Sequence, residues 1–219
     1  MQIGALLYVA VNTRPDIAVS VTILSQHNKD PTLIDWTEAK RITCYLKGTI
    51  DVKLKLRGQD AVKRLIGFAE ANWAADKSDR KSNSDYLFQL YGASISWACR
   101  KQTCVALSST EVEYVALVEA CQEGVWVRRL LEDMKQKQQG PTVVYEDNQS
   151  CLQLICNKKF SHRTKHIDTK YHYIKDLKDQ GIMEYKYCPK NQMPADLLTK
   201  PLNGNKLRFM LKMCGLSHQ

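Results

Sequence analysis

The sequence predicts an α/β fold in which helices flank a mixed sheet and a helical appendage precedes it. Apolar residues recur at helical spacing through residues 1–48 and again after Ser108. The other stretches include short segments that alternate apolar and polar residues or are rich in β-branched residues, as strands are. The resulting order of hairpin, helix, strand, helix, strand and helix is typical of a sheet with both antiparallel and parallel neighbours.

The composition is that of a soluble, folded protein. The 219 residues suffice for one large domain or a domain with an appendage, and 44% are hydrophobic and 25% charged. No apolar run approaches the roughly 20 residues of a membrane span, and the N-terminus lacks the basic segment of a signal peptide. The eight cysteines form no CxxC pair, which favours reduced thiols over disulfides or a zinc ribbon. We therefore expect an intracellular protein, cytoplasmic or nuclear, with no membrane partner.

Positive charge is concentrated towards the C-terminus. The formal net charge of the chain is +9, and residues 158–219 hold 13 Lys and Arg against 5 Asp and Glu, a net charge of +8. A segment this basic indicates a polyanionic partner, with nucleic acid as the first candidate. The alternative is a solvated basic surface that serves only solubility.

Three helices are predicted in residues 1–48. They run from Ile3 to Val11, from Ile17 to Leu24 and from Trp36 to Leu46, and the last of them ends at Gly48. This stretch contains no acid–base cluster. Its apolar faces need a partner to pack against, so we interpret it as an appendage.

Strands follow the appendage. Residues 52–56 alternate apolar and basic side chains, as a half-exposed strand does. Residues 64–73 predict a second strand, on which Glu70 interrupts an otherwise apolar stretch. Residues 86–91 and 95–99 predict an antiparallel hairpin.

A well-marked helix start follows the hairpin. Either Ser108 with Glu111 or Thr110 with Glu113 fits a capping box. Because residues two apart do not share a helix face, one glutamate can serve the cap while the other turns towards a sheet. The alternative is that both acids merely sit favourably at the positive end of the helix dipole. We expect this helix to break near Gly124 and then resume.

Two further strands and four further helices are predicted. The strands are residues 142–147 and 183–187, and the helices are residues 152–155, 171–177, 195–200 and 200–213. The last helix is basic and amphipathic, so docking of a partner and simple packing are equally good interpretations.

Four acidic residues lie within or at the ends of these predicted strands and helices. Glu70 is in the middle of a strand, Glu113 at a helix start, Asp147 at the end of a strand and Asp196 at the opening of a late helix. Acids at such element ends could meet at one edge of the sheet. Clustered oxygen ligands favour Mg²⁺ or Mn²⁺. Two such ions about 3.5–4 Å apart activate a water and stabilise the leaving oxygen of a phosphodiester.

Longer motifs surround these acids and extend into the first helices. Around the acids they are Ala106–Tyr114 (ALSSTEVEY), Asp147–Ser150 (DNQS), His162–Asp168 (HRTKHID) and Ala195–Pro201 (ADLLTKP); upstream they are Gly4–Tyr8 (GALLY), Thr13–Asp16 (TRPD) and Tyr45–Gly48 (YLKG). Over nearly its whole length the chain thus resembles the RNase H domain of copia-type retrotransposon Pol polyproteins, joined to the tail of the upstream reverse transcriptase.

The resemblance implies an RNase H-like fold, with a mixed five-stranded sheet flanked by helices. Such enzymes cut the RNA strand of RNA–DNA hybrids with two divalent ions held by an Asp-Glu-Asp-Asp set. Position by position, the catalytic and metal-binding acids would be Glu70, Glu113, Asp147 and Asp196. The implied segments are a reverse-transcriptase tail (1–58), an RNase H-like domain (62–200) and a basic C-terminal helix and tail (201–219).

The first acid departs from the family pattern. Where the family has Asp-Ala-Asp-Trp-Ala, this chain has Glu70 and Asn72 in place of the two aspartates. The extra methylene of Glu70 moves its carboxylate by about 1–1.5 Å, whereas catalytic constellations tolerate roughly 0.5 Å. We therefore expect weak or absent hydrolysis with Mg²⁺, with Mn²⁺ more forgiving. Asp85 stands where the family has Gly, and we expect strain there if that position has a positive φ.

Basic and aromatic residues complete the list of candidates. The residues expected to contact the phosphates of a hybrid are Arg163, Lys165, Lys170 and Lys175. The same region holds His162, His166 and His172, for which a structural or substrate-side role is favoured over zinc, since no third ligand has matching spacing. Trp73, Trp97 and Trp126 are expected in the core.

Three functional hypotheses remain. The chain is a metal-dependent ribonuclease of reduced activity, a non-catalytic nucleic-acid-binding module, or a relic or protein-binding copy. Because it starts without a polymerase core, we expect a fragment, a degenerate copy or a domesticated one.

Overall fold

A five-stranded mixed sheet forms the centre of the structure, a computed structural model that describes residues 2–56, 64–73, 79–156, 168–200 and 202–218, with only the backbone of 168–171. Its strands are β2 (Leu65–Asn72), β3 (Asn83–Leu90), β4 (Ala93–Lys101), β5 (Thr142–Glu146) and β6 (Met183–Tyr187); β1 (Val52–Leu54) and β7 (Leu216–His218) lie apart from it. The strand order is β4-β3-β2-β5-β6. β2, β3 and β4 pair antiparallel, whereas β5 is parallel to both β2 and β6. The predicted fold class is confirmed.

Helices flank this sheet, and the first three of them precede it in the chain. The described α-helices are α1 (Gln2–Asn12), α2 (Ala18–Ser25), α3 (Leu33–Gly48), α4 (Ser109–Asp133), α5 (Gln149–Cys156), α6 (Asp168–Asp179), α7 (Asp196–Thr199) and α8 (Gly204–Met213). None in the described part of the chain is long and apolar enough to cross a membrane. All eight cysteines are free.

The expected break near Gly124 is wrong, because α4 is continuous through it. Gly124 faces the sheet, where an added Cβ would lie 2.8 Å from Met183 Cε and 3.0 Å from the Phe88 ring. The glycine thus lets the helix approach the sheet closely. It is a packing residue in an uninterrupted helix.

The two faces of the sheet carry separate apolar cores. On one face, α4, α5 and α6 pack against side chains such as Ala69 and Phe88. On the other, α1, α2, α7 and α8 share a core with Phe68 and Leu87. The indole N–H of Trp97 on β4 also donates to the Ala10 carbonyl at 2.9 Å. The N-terminal helices therefore cover the second face of the sheet.

The segment that follows α3 and the C-terminal segment pair in a small second sheet. β1 pairs antiparallel with β7, with Val52 opposite His218 and Leu54 opposite Leu216. Sequence patterning missed β7, since three residues are too short to show alternation. The predicted segment boundaries stay a prediction.

Candidate metal centre

Two of the predicted acids reach the same edge of the sheet because their strands run parallel. Phe68 on β2 lies opposite Tyr145 on β5. Glu70 and Asp147 each follow two residues later, so both lie at the edge where these strands end. Asp147 is the first residue after β5. The third acid comes from a helix that starts at this edge.

The start of α4 separates the roles of its two glutamates. Ser108 is the N-cap, and its hydroxyl accepts a 3.2 Å hydrogen bond from the backbone N–H of Glu111. The carboxylate of Glu111 accepts in turn from the backbone N–H of Leu107 at 2.8 Å. Glu113 turns towards the sheet instead, where the main chain of Ala71 hydrogen-bonds its carboxyl. The prediction that one glutamate serves the cap and the other the sheet is confirmed.

Glu70, Glu113 and Asp147 form a buried carboxylate triad. Each offers one carboxylate oxygen, and these three oxygens lie within 4.8 Å of one another. The residues are only 3%, 8% and 7% exposed, respectively. Oxygen ligands lie 2.0–2.6 Å from Mg²⁺ or Ca²⁺, so oxygens this close together fit a shared divalent ion. Despite its longer side chain, Glu70 keeps its carboxylate in the triad.

Burial and neighbouring negative charges make Glu70 and Glu113 difficult to ionise. Burial, followed by the charges of Asp147 and Asp196, raises the pKa of Glu70 to about 8. Burial, followed by the charges of Glu70 and Asp147, raises the pKa of Glu113 to about 9. A bound divalent cation would oppose these raised pKa values, because its positive charge favours the ionised form of each carboxylate that it contacts.

Asp196, the fourth predicted acid, is fully buried and lies outside the triad as defined by these distances. Lys200 Nζ lies 2.6 Å from Asp196 Oδ1 and 3.8 Å from Glu70 Oε1. The ammonium group of Lys206 forms an ion pair with the other oxygen of Asp196. A third lysine contacts the triad itself, since Lys190 Nζ is 3.6 Å from Asp147 Oδ2. Three lysines thus border the acids.

Sequence reasoning missed one buried acid beside the triad. Glu146 is fully buried at the end of β5, and its Oε1 accepts a 3.0 Å hydrogen bond from the backbone N–H of Asn148. The asparagine Oδ1 accepts from the N–H of Cys151 at 3.0 Å, which fixes the turn that carries Asp147. The sequence signal that could have revealed Glu146 was an acidic residue within a strand rich in β-branched residues.

Asp85 is a second buried acid, and the condition under which backbone strain was expected there, a positive φ, is not met. It lies within regular β3, directly opposite Glu70, and its φ is not positive. The side chain is fully buried, which raises the pKa of its carboxyl well above the ordinary value. The unfavourable feature of Asp85 is therefore the burial of its carboxyl group, and its backbone conformation is ordinary.

Other predicted residues lie elsewhere or outside the description. Arg163, Lys165, His162 and His166 are outside the described residues, and Lys170 is described only by its backbone. On α6, Lys175 is half-buried and His172 is exposed. The expectation that the tryptophans are core residues is wrong for Trp73 and Trp126, which are 55% and 57% exposed.

Comparison with known proteins places the chain among retrotransposon sequences. It is 39% identical over 214 residues to the retrovirus-related Pol polyprotein from transposon TNT 1-94 of Nicotiana tabacum, covering 98% of this chain and 16% of the polyprotein. It is 35% identical over 201 residues to the Pol polyprotein from transposon RE2 of Arabidopsis thaliana, covering 92% and 14%. The chain therefore spans about a sixth of the length of these relatives. No family model matches it.

A shorter relative and two solved structures are also similar. Secreted RxLR effector protein 161 of Plasmopara viticola is 46% identical over 125 residues, covering 57% of this chain and 87% of that protein. LC11-RNase H1 in complex with an RNA/DNA hybrid superposes with a TM-score of 0.46 at 13% identity, covering 62% of this chain and 93% of that one. The N-terminal RNase H domain of a Mycobacterium tuberculosis protein gives 0.47 at 12% identity, covering 69% and 98%. Structural likenesses of this strength do not bear on function.

Proposed function

Because this chain belongs to the Pol polyproteins of copia-type retrotransposons, we propose that it is an RNase H-type domain that hydrolyses the RNA strand of RNA–DNA hybrids. The observation that carries the proposal is the buried triad of Glu70, Glu113 and Asp147. Each of these acids stands at a position that the family resemblance assigns to metal binding.

The triad would hold a divalent cation, Mg²⁺ or Mn²⁺. Such an ion supplies Lewis-acid stabilisation of a phosphodiester and lowers the pKa of a bound water. The contribution of the chain is to keep the three carboxylates together in a nearly dry site, since burial strengthens their attraction for a cation. Asp196, the fourth predicted acid, borders the triad through Lys200.

Two features of the triad support low activity with Mg²⁺. Glu70 Oε1 lies within 3.8 Å of an ammonium group, which competes with a cation for the same oxygen. Asn72 is half-buried and donates to the Thr199 carbonyl at 3.1 Å, so an acid of the family pattern is replaced by a neutral structural contact. Mg²⁺ demands near-ideal octahedral geometry, so we propose slow cleavage with Mg²⁺ and faster cleavage with Mn²⁺.

The hybrid would be held by positive charge. Lys190 has a side chain that is 72% exposed, beside Asp147, and the basic C-terminal stretch continues this charge. Contacts of this kind bind phosphates without reading sequence. An upstream reverse-transcriptase domain is the partner that the family resemblance implies. The second candidate is a non-catalytic nucleic-acid-binding module, favoured by Glu70 and Asn72 in place of two aspartates.

A cleavage assay tests the proposal. Labelled RNA–DNA hybrid is incubated with the full chain in Mg²⁺ and in Mn²⁺, beside Asp147→Asn and the matched control Asp176→Asn, which changes an exposed acid on α6. We expect slow cleavage of the RNA strand that is lost in Asp147→Asn and kept in Asp176→Asn. Salt-sensitive binding of the hybrid without cleavage by any protein would favour the second candidate.

A further inference from the structure

Asp196 is surrounded by lysines on both carboxylate oxygens. Lys200 Nζ lies 2.6 Å from Oδ1, and Lys206 pairs with Oδ2. The side chain of Asp196 is fully buried, whereas those of Lys200 and Lys206 are 39% and 31% exposed. Each oxygen of this buried carboxylate is thus paired with one ammonium group.

Local structure fixes the backbone that carries both lysines. Lys200 follows Asp196 by four residues, a spacing that places both side chains on the same side of α7, so the lysine can reach the Asp196 carboxylate. Its neighbour Thr199 is tied to β2 by the amide of Asn72. Lys206 lies in the first turn of α8, where the Asn203 side chain accepts from its backbone N–H at 2.9 Å. Both ammonium groups are thus presented from anchored positions.

Lys200 also reaches towards the triad. Its ammonium is 2.6 Å from Asp196 and 3.8 Å from Glu70, so it lies between these two carboxylates. An ion shared by Asp196 and Glu70 would have to displace this ammonium group. To bind the ion through both oxygens, Asp196 would also have to lose its ion pair with Lys206. If the Lys206 ammonium group stayed in place, it would repel the ion at short range.

We propose that Lys200 and Lys206 neutralise Asp196 in place of a second metal ion, so that this site binds one divalent cation on Glu70, Glu113 and Asp147. The inference rests on the proposed function, which supplies the cation at the triad. The geometry agrees with it, because each oxygen of Asp196 is paired with an ammonium group and Lys200 lies between Asp196 and Glu70. Asn72 takes part, since its amide holds the residue next to Lys200.

Counting bound Mn²⁺ tests this inference without any substrate. Free Mn²⁺ is measured by electron paramagnetic resonance while the full chain is titrated at neutral pH. We expect one bound ion in the unmodified chain and two in the double variant Lys200→Met/Lys206→Met, with at least tenfold tighter binding of the second ion. Lys206→Arg, which keeps the charge, should still bind one ion. The matched control Lys212→Met changes an exposed lysine on α8 and should also bind one.

Each other outcome has a definite meaning. Two ions of similar affinity in the unmodified chain would overturn the inference and leave the proposed function standing. One ion in both the unmodified chain and the folded double variant would show that the lysines do not occupy a second site. If the double variant fails to fold by circular dichroism, the single variant Lys200→Met decides, with tenfold tighter second-ion binding expected. No bound ion in any protein would overturn the metal site of the proposed function itself.

Discussion

Buried carboxylates should make the cation-free protein less stable as the pH rises. The pKa of Glu70 is raised from 4.5 to about 8, and that of Glu113 to about 9. Between the unfolded and folded values, the folded state binds more protons than the unfolded state, so the free energy of unfolding falls with pH. The stabilisation from these protons is complete below about pH 4.5 and is lost as the pH passes through 8 to 9.

The size of the effect follows from the shift of Glu70 alone. Raising a carboxyl pKa from 4.5 to about 8 corresponds to on the order of 5 kcal/mol of lost stability once the group is ionised. For a chain of this size, 1 kcal/mol moves Tm by about 2–4 °C. The expected fall in Tm is therefore on the order of 10 °C.

Thermal unfolding followed by circular dichroism measures this fall, in buffers from about pH 5 to 9 with a chelator present. Glu70→Gln should make the fall in Tm smaller, because it keeps the shape of the side chain but removes its titration, while the titration of Glu113 remains. Glu184→Gln, a half-buried acid on β6, should leave the curve unchanged. Added Mn²⁺ should restore most of the lost stability at high pH. A Tm that rises with pH, or a fall in Tm that Glu70→Gln leaves unchanged in size, would refute the reasoning.

Three further substitutions test the packing around the site. Gly67→Ala would put a Cβ 2.5 Å from the Phe88 ring, so we expect about 1–3 kcal/mol lower stability in urea unfolding. Asp85→Ala removes a fully buried carboxyl and should raise stability at pH 8 by roughly 1–3 kcal/mol, whereas a loss would show that this carboxyl is compensated. Ser108→Ala removes the side-chain cap of α4 and should cost about 1 kcal/mol, while unchanged stability would count against the cap.

Local sequence patterns predicted most of the sheet and helices, because each element has a clear period and clear ends. They failed where a distant contact decides the outcome. Gly124 was expected to break a helix, but its contact with Phe88 and Met183 makes it a packing residue. β7 becomes a strand only because β1 lies beside it.

The candidate site shows the same division between local and distant causes. The triad could be expected, since Glu70 interrupts an apolar strand, Glu113 lies at a helix start and Asp147 follows a strand. The ion pair between Asp196 and Lys206 joins residues on two successive helices, and no periodicity predicts it. The burial of Asp85 opposite Glu70 depends on strand register, which the sequence alone did not specify.

The most direct test of the central claim compares the unmodified chain with Glu70→Asp in hybrid cleavage with Mg²⁺ and Mn²⁺. Shortening this side chain should restore the ligand geometry that Mg²⁺ requires. We predict slow cleavage by the unmodified chain in Mg²⁺, faster cleavage in Mn²⁺, and a gain of at least tenfold in Mg²⁺ for Glu70→Asp. Absence of cleavage by both folded proteins with either ion would contradict the assignment of the triad as a nuclease site.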